Sequence, residues 1–279
     1  MTMKIIHIFG LPRSGTTLLQ KLLATSSSTV TLPETWFLLS LNMFESSNQG
    51  FSEIGYSACK RGYEGFISQN NDLFNKKYKL YKEILSQNFL GDNFFIEKTP
   101  RNIIIGDQII KALHKEDKVI FIKRNLQEIF ESYLEYFDSF PFIKSYKFHK
   151  EIIGYSKKME FLILNYPEGL VVDFDELKKN PEKESEKISS YLNLKDIDYL
   201  NLNTKIIQKK SFGDQKMRDY KTISKVKSKR SKTIKIISKF YFNRSFSLYG
   251  CLNYFVSSII FFFNLNLLFH VFKKSKFIH

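Results

Sequence analysis

Short apolar runs alternate with stretches of helical periodicity through the first two thirds of the chain. Most of these runs are rich in Ile, Val, Leu and Phe and stop at a glycine, a proline or a charged residue, which is typical of buried strands in a parallel sheet. The predicted strands are 4–9, 29–32, 94–100, 118–124 and 168–174. The segments of helical spacing that follow them are 15–24, 33–44, 102–114, 126–137 and 175–194.

This alternation predicts an α/β fold with a central parallel sheet and helices on both faces. Pro33 and Glu34 are expected near the N-terminus of the second helix, where both residue types are favoured. Residues 49–93 lack a strand pattern and are rich in Tyr, Phe, Asn and Lys, so they are expected to form a largely helical insertion over one end of the sheet. The sequence thus predicts a main domain, 1–230, and a helical tail, 231–279.

The tail contains a long apolar segment. No Asp, Glu, Lys or Arg occurs in residues 245–272, and about 20 apolar residues are enough to span a bilayer. Asn253, Asn264 and Asn266 oppose that interpretation, because polar side chains in hydrocarbon are costly. Two interpretations stay open: a segment that contacts a membrane, or a pair of helices that packs on the domain.

Charge narrows the range of partners. The 279-residue chain carries a net charge of +15, which attracts nucleic acid, anionic membranes or anionic small molecules. Much of the excess lies in 225–239, which is either a solvated face or an anion-binding segment. No motif that recognises nucleic acid accompanies this run, so nucleic acid is not expected as a partner.

Cysteine and histidine spacing predicts neither a disulfide framework nor a metal site. Cys59 and Cys251 lie far apart, and the five histidines show no ligand spacing. The first strand begins almost at Met1, which leaves no room for a signal peptide. We therefore expect a cytoplasmic protein, at the inner face of the membrane if the tail binds lipid.

A glycine turn joins the first strand to the first helix. The backbone amides of such a turn and the N-terminus of the helix bind phosphate. In the loop that binds magnesium triphosphates, a lysine follows the second glycine. Here Thr16 follows Gly15, and the nearby cation is Arg13, inside the loop. The sequence therefore predicts an anionic ligand but lacks the complete set of residues for a magnesium-bound triphosphate.

The stretch GLPRSGTTLLQKLL, 10–23, resembles the 5′-phosphosulfate loop of sulfotransferases that use 3′-phosphoadenosine-5′-phosphosulfate (PAPS). With the LPET that comes later, 32–35, it is similar to the tyrosylprotein and bacterial glycan branch. The resemblance implies a P-loop-type three-layer fold and PAPS as co-substrate. It also implies that the 5′-phosphosulfate is held by Arg13, Ser14, Gly15, Thr16 and Thr17.

A second signature of that family has a counterpart in VIFIKRNLQEIFESYLEYF, 119–137. Arg124 ends the strand, and Ser132 follows eight residues later on the next helix. The resemblance implies that both bind the 3′-phosphate of PAPS, and a guanidinium suits that role because it contacts phosphate bidentately. The alternative for Arg124 is an ordinary surface charge.

Two residues are candidates for the chemistry. The resemblance assigns the general base to Glu34, and a carboxylate in a closed site suits proton removal from a hydroxyl. It assigns contact with the bridging oxygen and the sulfuryl group to Lys98, aided by Arg13. The alternatives are an acid at a helix start and a solvated loop lysine. Arg101 is a candidate for orienting the acceptor.

Two further segments are similar to the family. KKSFGDQKMRDYK, 209–221, resembles the loop that closes over the nucleotide, which makes Ser211, Gly213 and Lys216 candidates for the adenine or 3′-phosphate side. VVDFDELKKNP, 171–181, resembles a segment in which relatives carry tyrosine at the position of Phe174. The hydroxyl is absent here, so Phe174 is expected only to pack.

The resemblance therefore implies transfer of a sulfuryl group from PAPS to an acceptor hydroxyl without a metal. A glycan or glycolipid is the expected acceptor, and protein tyrosine is the alternative. Two other functions stay open on sequence alone. One is a kinase-like phosphotransferase, and the other is a non-catalytic, membrane-associated nucleotide-binding protein.

Overall fold

A computed structural model describes residues 3–40, 73–89, 94–136 and 142–202, with Ile234, Lys235, Ser238 and Phe242 as isolated positions. The chain divides into two compact units, Met1–Arg230 and Ser231–His279. The apolar segment 245–272 lies outside the described residues, as do 49–72 of the predicted insertion. Among the helices that are described, none combines the length and the apolar character needed to cross a bilayer.

Strands and helices alternate along the first unit, as the sequence predicted. The described strands are β1 Lys4–Gly10, β2 Thr29–Thr31, β3 Phe94–Glu97, β4 Lys118–Lys123 and β5 Leu170–Asp173. The described helices are α1 Thr16–Leu23, α2 Phe37–Ser40, α3 Leu73–Asn88, α4 Gly106–Ala112, α5 Leu126–Tyr136, α6 Phe142–Asn165, α7 Phe174–Lys179 and α8 Pro181–Leu192. A 3₁₀ helix, Pro100–Ile105, leads into α4.

All the described strands pair in parallel in one sheet, in the order β2-β3-β1-β4-β5. The α/β class with a central parallel sheet is thus confirmed. Strand β1 lies in the middle, with β3 and β2 on one side of it and β4 and β5 on the other. The direction in which the chain adds strands therefore reverses at β1. In open parallel sheets, ligands bind outside the carboxyl ends of the strands at such a reversal.

Helix α1 is fixed against the sheet by a leucine-rich face. Leu18, Leu19 and Leu22 are fully buried and share one apolar cluster with Ile6 and Ile8 of β1. Burying one such side chain stabilises the fold by about 1.5–3 kcal/mol. This packing holds the N-terminus of α1 at the carboxyl end of β1.

Helix α2 begins later than expected. The sequence predicted a start at Pro33 and Glu34, but the helix starts at Phe37. The hydroxyl of Thr35 donates to Glu97 (2.8 Å), and Trp36 has φ 55°, outside the right-handed helical region. These contacts keep Glu34 in an irregular turn rather than in the first turn of a helix.

Helix α3 is the described part of the predicted insertion, and it contacts the sheet through polar side chains. Tyr78 shares a hydrogen bond with Nε2 of His7 (2.7 Å) and donates to Asp117 (3.1 Å). Lys82 donates to the other oxygen of Asp117 at 2.7 Å. All four side chains are buried, so this network joins α3 to β1 and to the residue that precedes β4.

Candidate functional site

The loop between β1 and α1 begins and ends at positions that admit only glycine. A Cβ on Gly10 would lie 2.5 Å from Ile122 and 2.6 Å from the methyl group of Thr16. Gly15 has φ 101°, in the left-handed region, and a Cβ there would lie 2.1 Å from the ring of Phe174. Both predicted glycines therefore occupy positions from which a side chain is excluded.

Hydrogen-bond donors gather where the loop meets the N-terminus of α1. The amides of Thr16 and Thr17 belong to the first turn of the helix, where backbone N–H groups have no intrahelical acceptor. The hydroxyl of Ser14 is buried and has no hydrogen-bond partner among the described residues. Because buried polar groups are rarely left unpaired, this arrangement fits the oxygens of a bound anion.

Arg124 joins β4 to this loop. Its Nη1 donates to the backbone oxygen of Arg13 at 3.1 Å, and its Nε and Nη2 donate to Glu128 at 3.2 and 3.0 Å. Its guanidinium lies 4.3 Å from the ring centroid of Phe174. Arg124 is therefore next to the phosphate loop rather than a solvated surface charge.

Phe174 supports both parts of this arrangement. It is the first residue of α7, a helix capped by Asp173, whose Oδ1 accepts from the amides of Asp175 and Glu176. One ring thus contacts both the Cα of Gly15 and the guanidinium of Arg124. Phe174 packs, as the sequence predicted for the position without its hydroxyl.

The last turn of helix α5 lies next to the loop between β1 and α1. The guanidinium of Arg13 lies 4.6 Å from the ring centroid of Tyr136, the last residue of α5. Ser132 is half-buried and lies four residues before Tyr136, so both are on the same face of the helix. The predicted partner of Arg124 is therefore on the face of α5 that contacts the phosphate loop.

Glu34 and Lys98 form an ion pair. They follow the neighbouring strands β2 and β3, and Nζ of Lys98 lies 3.2 Å from Oε1 of Glu34. Lys98 is 1% exposed, and the side chain of Glu34 is 16% exposed. Lys98 is thus a buried residue, contrary to the alternative of a solvated loop lysine.

Glu97 belongs to this group, although the sequence did not single it out. Its carboxylate accepts from the side chains of Thr35, Tyr81, Thr99 and Asn102. Burial raises the pKa of Glu97 above its usual value, and the hydrogen bonds from Tyr81 and Thr99 oppose that shift. The sequence feature that could have indicated Glu97 is a charged residue at the end of an otherwise apolar strand, directly before Lys98.

Arg101 pairs with α6 rather than with Glu34. Its Nη2 lies 2.8 Å from Oε1 of Glu151, which also accepts a hydrogen bond from the hydroxyl of Tyr155 at 2.7 Å. The side chain of Arg101 is 45% exposed. This cluster forms a charged, hydroxyl-bearing surface from the 3₁₀ helix, which contains Arg101, and from α6, which contains Glu151 and Tyr155.

Ser211, Gly213 and Lys216 lie outside the described residues. Within the ranges that are described, no group of three or more His, Cys, Asp or Glu side chains is arranged to hold a metal ion.

Comparison with known proteins identifies the family. The model of the family described as "Sulfotransferase family" matches residues 6–198, more than half of the chain. The chain belongs to the sulfotransferase family. The match includes Arg13, Glu34, Lys98 and Arg124 and ends before Ser211, so it covers the loop between β1 and α1, the ion pair and the end of β4.

A curated relative of this sulfotransferase-family chain is Nodulation protein NoeE of Sinorhizobium fredii (strain NBRC 101917 / NGR234). It is 32% identical over 126 residues, which are 43% of this chain and 29% of NoeE. The matched part therefore spans less than a third of that relative.

Solved structures share the fold of the family member described here. The sulfotransferase domain from the curacin biosynthetic pathway superposes with a TM-score of 0.53 at 18% identity and covers 88% of this chain and 99% of that domain. The sulfotransferase domain of the Synechococcus PCC 7002 olefin synthase has a TM-score of 0.50 at 16% identity, over 88% and 98% of the two chains. These likenesses confirm the P-loop-type α/β fold.

Proposed function

We propose that the chain is a PAPS-dependent sulfotransferase that transfers a sulfuryl group to an acceptor hydroxyl. The observation that carries the proposal is the buried ion pair of Glu34 and Lys98, 3.2 Å apart at the carboxyl end of the sheet. Lys98 follows β3, the neighbour of β1, and Glu34 follows β2, the strand beyond β3. The carboxyl end of β1 itself leads into the loop before α1. Membership of the sulfotransferase family supports sulfuryl transfer as the activity.

The loop residues are proposed to hold the 5′-phosphosulfate. The unpaired hydroxyl of Ser14 and the amides of Gly15, Thr16 and Thr17 supply donors, and Arg13 adds charge. Arg124 and Ser132 are proposed to bind the 3′-phosphate. The contact between Arg124 and the backbone of Arg13 supports a common site for the two phosphates, because it holds the second guanidinium against the loop. The predicted contributions of Ser211 and Lys216 stay predictions.

Glu34 is proposed to remove the proton of the acceptor hydroxyl as the acceptor oxygen bonds to sulfur. The bond from sulfur to the bridging phosphate oxygen breaks, and adenosine 3′,5′-bisphosphate leaves. Lys98 and Arg13 stabilise the charge that develops on the sulfuryl oxygens and the leaving phosphate. The ion pair must open for this, since Lys98 turns to the leaving oxygen and thereby leaves Glu34 available to the acceptor.

A glycan or glycolipid is the proposed acceptor, and it is reached at an anionic membrane surface. The cluster of Arg101, Glu151 and Tyr155 supports a hydroxyl-rich acceptor, because it offers donors and acceptors beside the 3₁₀ helix that follows Lys98. The net charge of +15 and the apolar segment 245–272 support contact with lipid.

Transfer of radiolabelled sulfate from PAPS to a mixture of glycan and glycolipid acceptors tests the proposal. We expect Glu34→Gln to lower kcat by about 10²–10⁴-fold, the usual contribution of a positioned general base. Glu83→Gln, on the exposed face of α3, is the matched control and should keep the wild-type rate. An unchanged rate in Glu34→Gln would exclude Glu34 as the base.

Calorimetry separates the proposal from a phosphotransferase. We expect the protein to bind adenosine 3′,5′-bisphosphate without a metal, since the residues near the loop include two guanidinium groups and no lysine after Gly15. Binding of Mg-ATP alone, with no binding of the bisphosphate, would overturn the proposal.

A further inference from the structure

The carboxylate of Glu97 is buried between two turns that carry the candidate catalytic residues. Among the described residues, four side chains donate to it: Thr35 and Tyr81 to Oε2, Thr99 (2.8 Å) and Asn102 (3.2 Å) to Oε1. Each oxygen of Glu97 thus has two side-chain partners, so both oxygens of this buried group are paired by residues of the two turns and of α3.

These donors are adjacent in sequence to the ion pair. Thr35 directly follows Glu34, and Thr99 directly follows Lys98. The hydroxyl of Thr99 also accepts a hydrogen bond from the amide of Trp36 at 3.3 Å. The turn after β2 and the turn after β3 are thereby joined to one another and to the same buried carboxylate.

We propose that Glu97 is a positioning residue that fixes the relative placement of Glu34 and Lys98 through the hydroxyls of Thr35 and Thr99. This inference rests on the proposed function, because it gives that placement a catalytic purpose. Glu97 contacts neither the substrate nor the reacting atoms. It determines whether the base and the cation are held in the geometry that transfer requires.

The physical reason is that the ion pair by itself does not fix geometry. A lysine side chain has several rotatable bonds, and Glu34 lies in an irregular turn rather than in a helix. A displacement of about 1 Å is enough to lower a rate on the order of 100-fold. Bonds to a buried, fully paired carboxylate provide the supporting shell that such a site needs.

Tyr81 extends this arrangement to α3. Its hydroxyl donates to Glu97, and its ring stacks on Phe37 of α2 at 5.1 Å and meets Phe95 of β3 edge-on at 6.3 Å. Tyr81→Phe removes one of the four donors while the ring keeps its contacts. It therefore provides a graded version of the change made at Glu97.

The test compares Glu97→Gln with Asp117→Asn. Asp117 is a matched control, since it is equally buried and accepts from the side chains of Lys82 and Tyr78 and from two backbone amides, but it lies at the opposite end of the strands. We expect Glu97→Gln to lower kcat about 10–100-fold with KM for PAPS changed less than about threefold. Tyr81→Phe should lower kcat in the same direction by a smaller factor. Asp117→Asn should reduce the melting temperature with kcat near that of the wild type.

A second measurement does not depend on activity. Acylation of Lys98 in the free protein, followed by mass spectrometry, should be slow in the wild type and in Asp117→Asn, and at least about tenfold faster in Glu97→Gln. An equal loss of kcat in Glu97→Gln and Asp117→Asn, or an unchanged acylation rate of Lys98 in Glu97→Gln, would overturn the inference.

The two proposals fail in different ways. If the wild-type protein transfers no sulfate to any acceptor, the proposed function fails, and the acylation rates still decide whether Glu97 positions Lys98. If the wild type is active and Glu97→Gln keeps its kcat, the proposed function stands and the positioning role of Glu97 is wrong.

Discussion

At the scale of single residues, the candidate site coincides with backbone conformations that most side chains avoid. Arg13 has φ 72° and Trp36 has φ 55°, and such strain persists only where surrounding contacts enforce it. Those contacts are visible: Arg124 donates to the oxygen of Arg13, and the hydroxyl of Thr99 accepts from the amide of Trp36. The strained turns are the same ones that carry the proposed phosphate and catalytic groups.

Gly15 gives a prediction at this scale. Gly15→Ala places a methyl group 2.1 Å from the ring of Phe174, in a residue with φ 101°. The left-handed conformation costs a non-glycine residue about 1–2 kcal/mol, and the ring must shift away from the loop and from Arg124. We expect the affinity for adenosine 3′,5′-bisphosphate, measured by calorimetry, to fall at least about tenfold.

Gly154→Ala is the control for that substitution. Gly154 lies in α6, where an added Cβ meets nothing within 4 Å. Alanine favours a helix over glycine by roughly 0.5–1 kcal/mol, so this variant should unfold at a slightly higher denaturant concentration and bind as the wild type does. Equal affinities of Gly15→Ala and Gly154→Ala would contradict the role of the loop.

The sequence indicated candidate site residues that lie within short motifs, and it missed a residue with remote partners. Arg13, Ser14 and Gly15 lie in one short motif, so their types and spacing already indicate a phosphate loop. Glu97 was missed because two of its four partners are remote in sequence: Thr35 is 62 residues away and Tyr81 is 16 residues away. A carboxylate whose role depends on such contacts cannot be distinguished from any other polar residue at a strand end.

At the scale of elements, strands were predicted well because apolar β-branched runs with clear stops determine them locally. The strand ends were less accurate: the third strand was expected to reach residue 100 and ends at Glu97, because the chain then turns into the 3₁₀ helix Pro100–Ile105, which Thr99 precedes. Helix α6 was not predicted at all. Its buried Phe148, Ile152, Met159 and Leu162 have helical spacing, but polar and aromatic residues interrupt the pattern.

The docking of α3 on the sheet gives a prediction about pH. The pKa of His7 is lowered to about 4, mainly by burial; the charge of Asp117 opposes this shift and the charge of Lys82 adds to it. Because the folded protein disfavours protonated His7, its contribution to stability is complete above the unfolded pKa near 6.5 and is lost as the pH falls toward 4. The free energy of unfolding should decrease by about 3 kcal/mol over that interval from this group.

Urea unfolding of the wild type and of His7→Gln at several pH values between 7 and 4 measures that contribution. Glutamine keeps a hydrogen bond to Tyr78 within reach but does not titrate. The variant should be less stable than the wild type at pH 7, and its stability should decline less steeply below pH 6.5. Carboxylates such as Asp117 titrate in both proteins, so parallel stability curves would show that His7 is not the source.

At the scale of the whole molecule, the strand order determines where function is built. Strand β1 lies between β3 and β4, so the loop after Gly10, the turn with Lys98 and the strand end with Arg124 open at the same edge of the sheet. Parallel alternation predicted the fold class but not this order, which depends on how the connections cross the sheet. The proximity of the motifs was therefore an expectation from family resemblance rather than from the strand pattern.

Much of the excess positive charge of the chain lies in one run of basic residues. Lysines of the run 225–239 are proposed to bind anionic lipid, at about 1 kcal/mol per residue near the surface. Changing Lys225, Lys227 and Lys229 to Gln should lower the affinity for phosphatidylserine-containing vesicles, measured by co-sedimentation, by up to about 100-fold. Salt above about 0.5 M should lower that affinity to a similar extent. Changing the exposed Lys76, Lys79 and Lys183 to Gln removes the same charge elsewhere. If both triple variants lose the same amount of vesicle binding, the attraction arises from net charge alone. A localised contact of 225–239 with lipid would instead weaken binding only in the first variant.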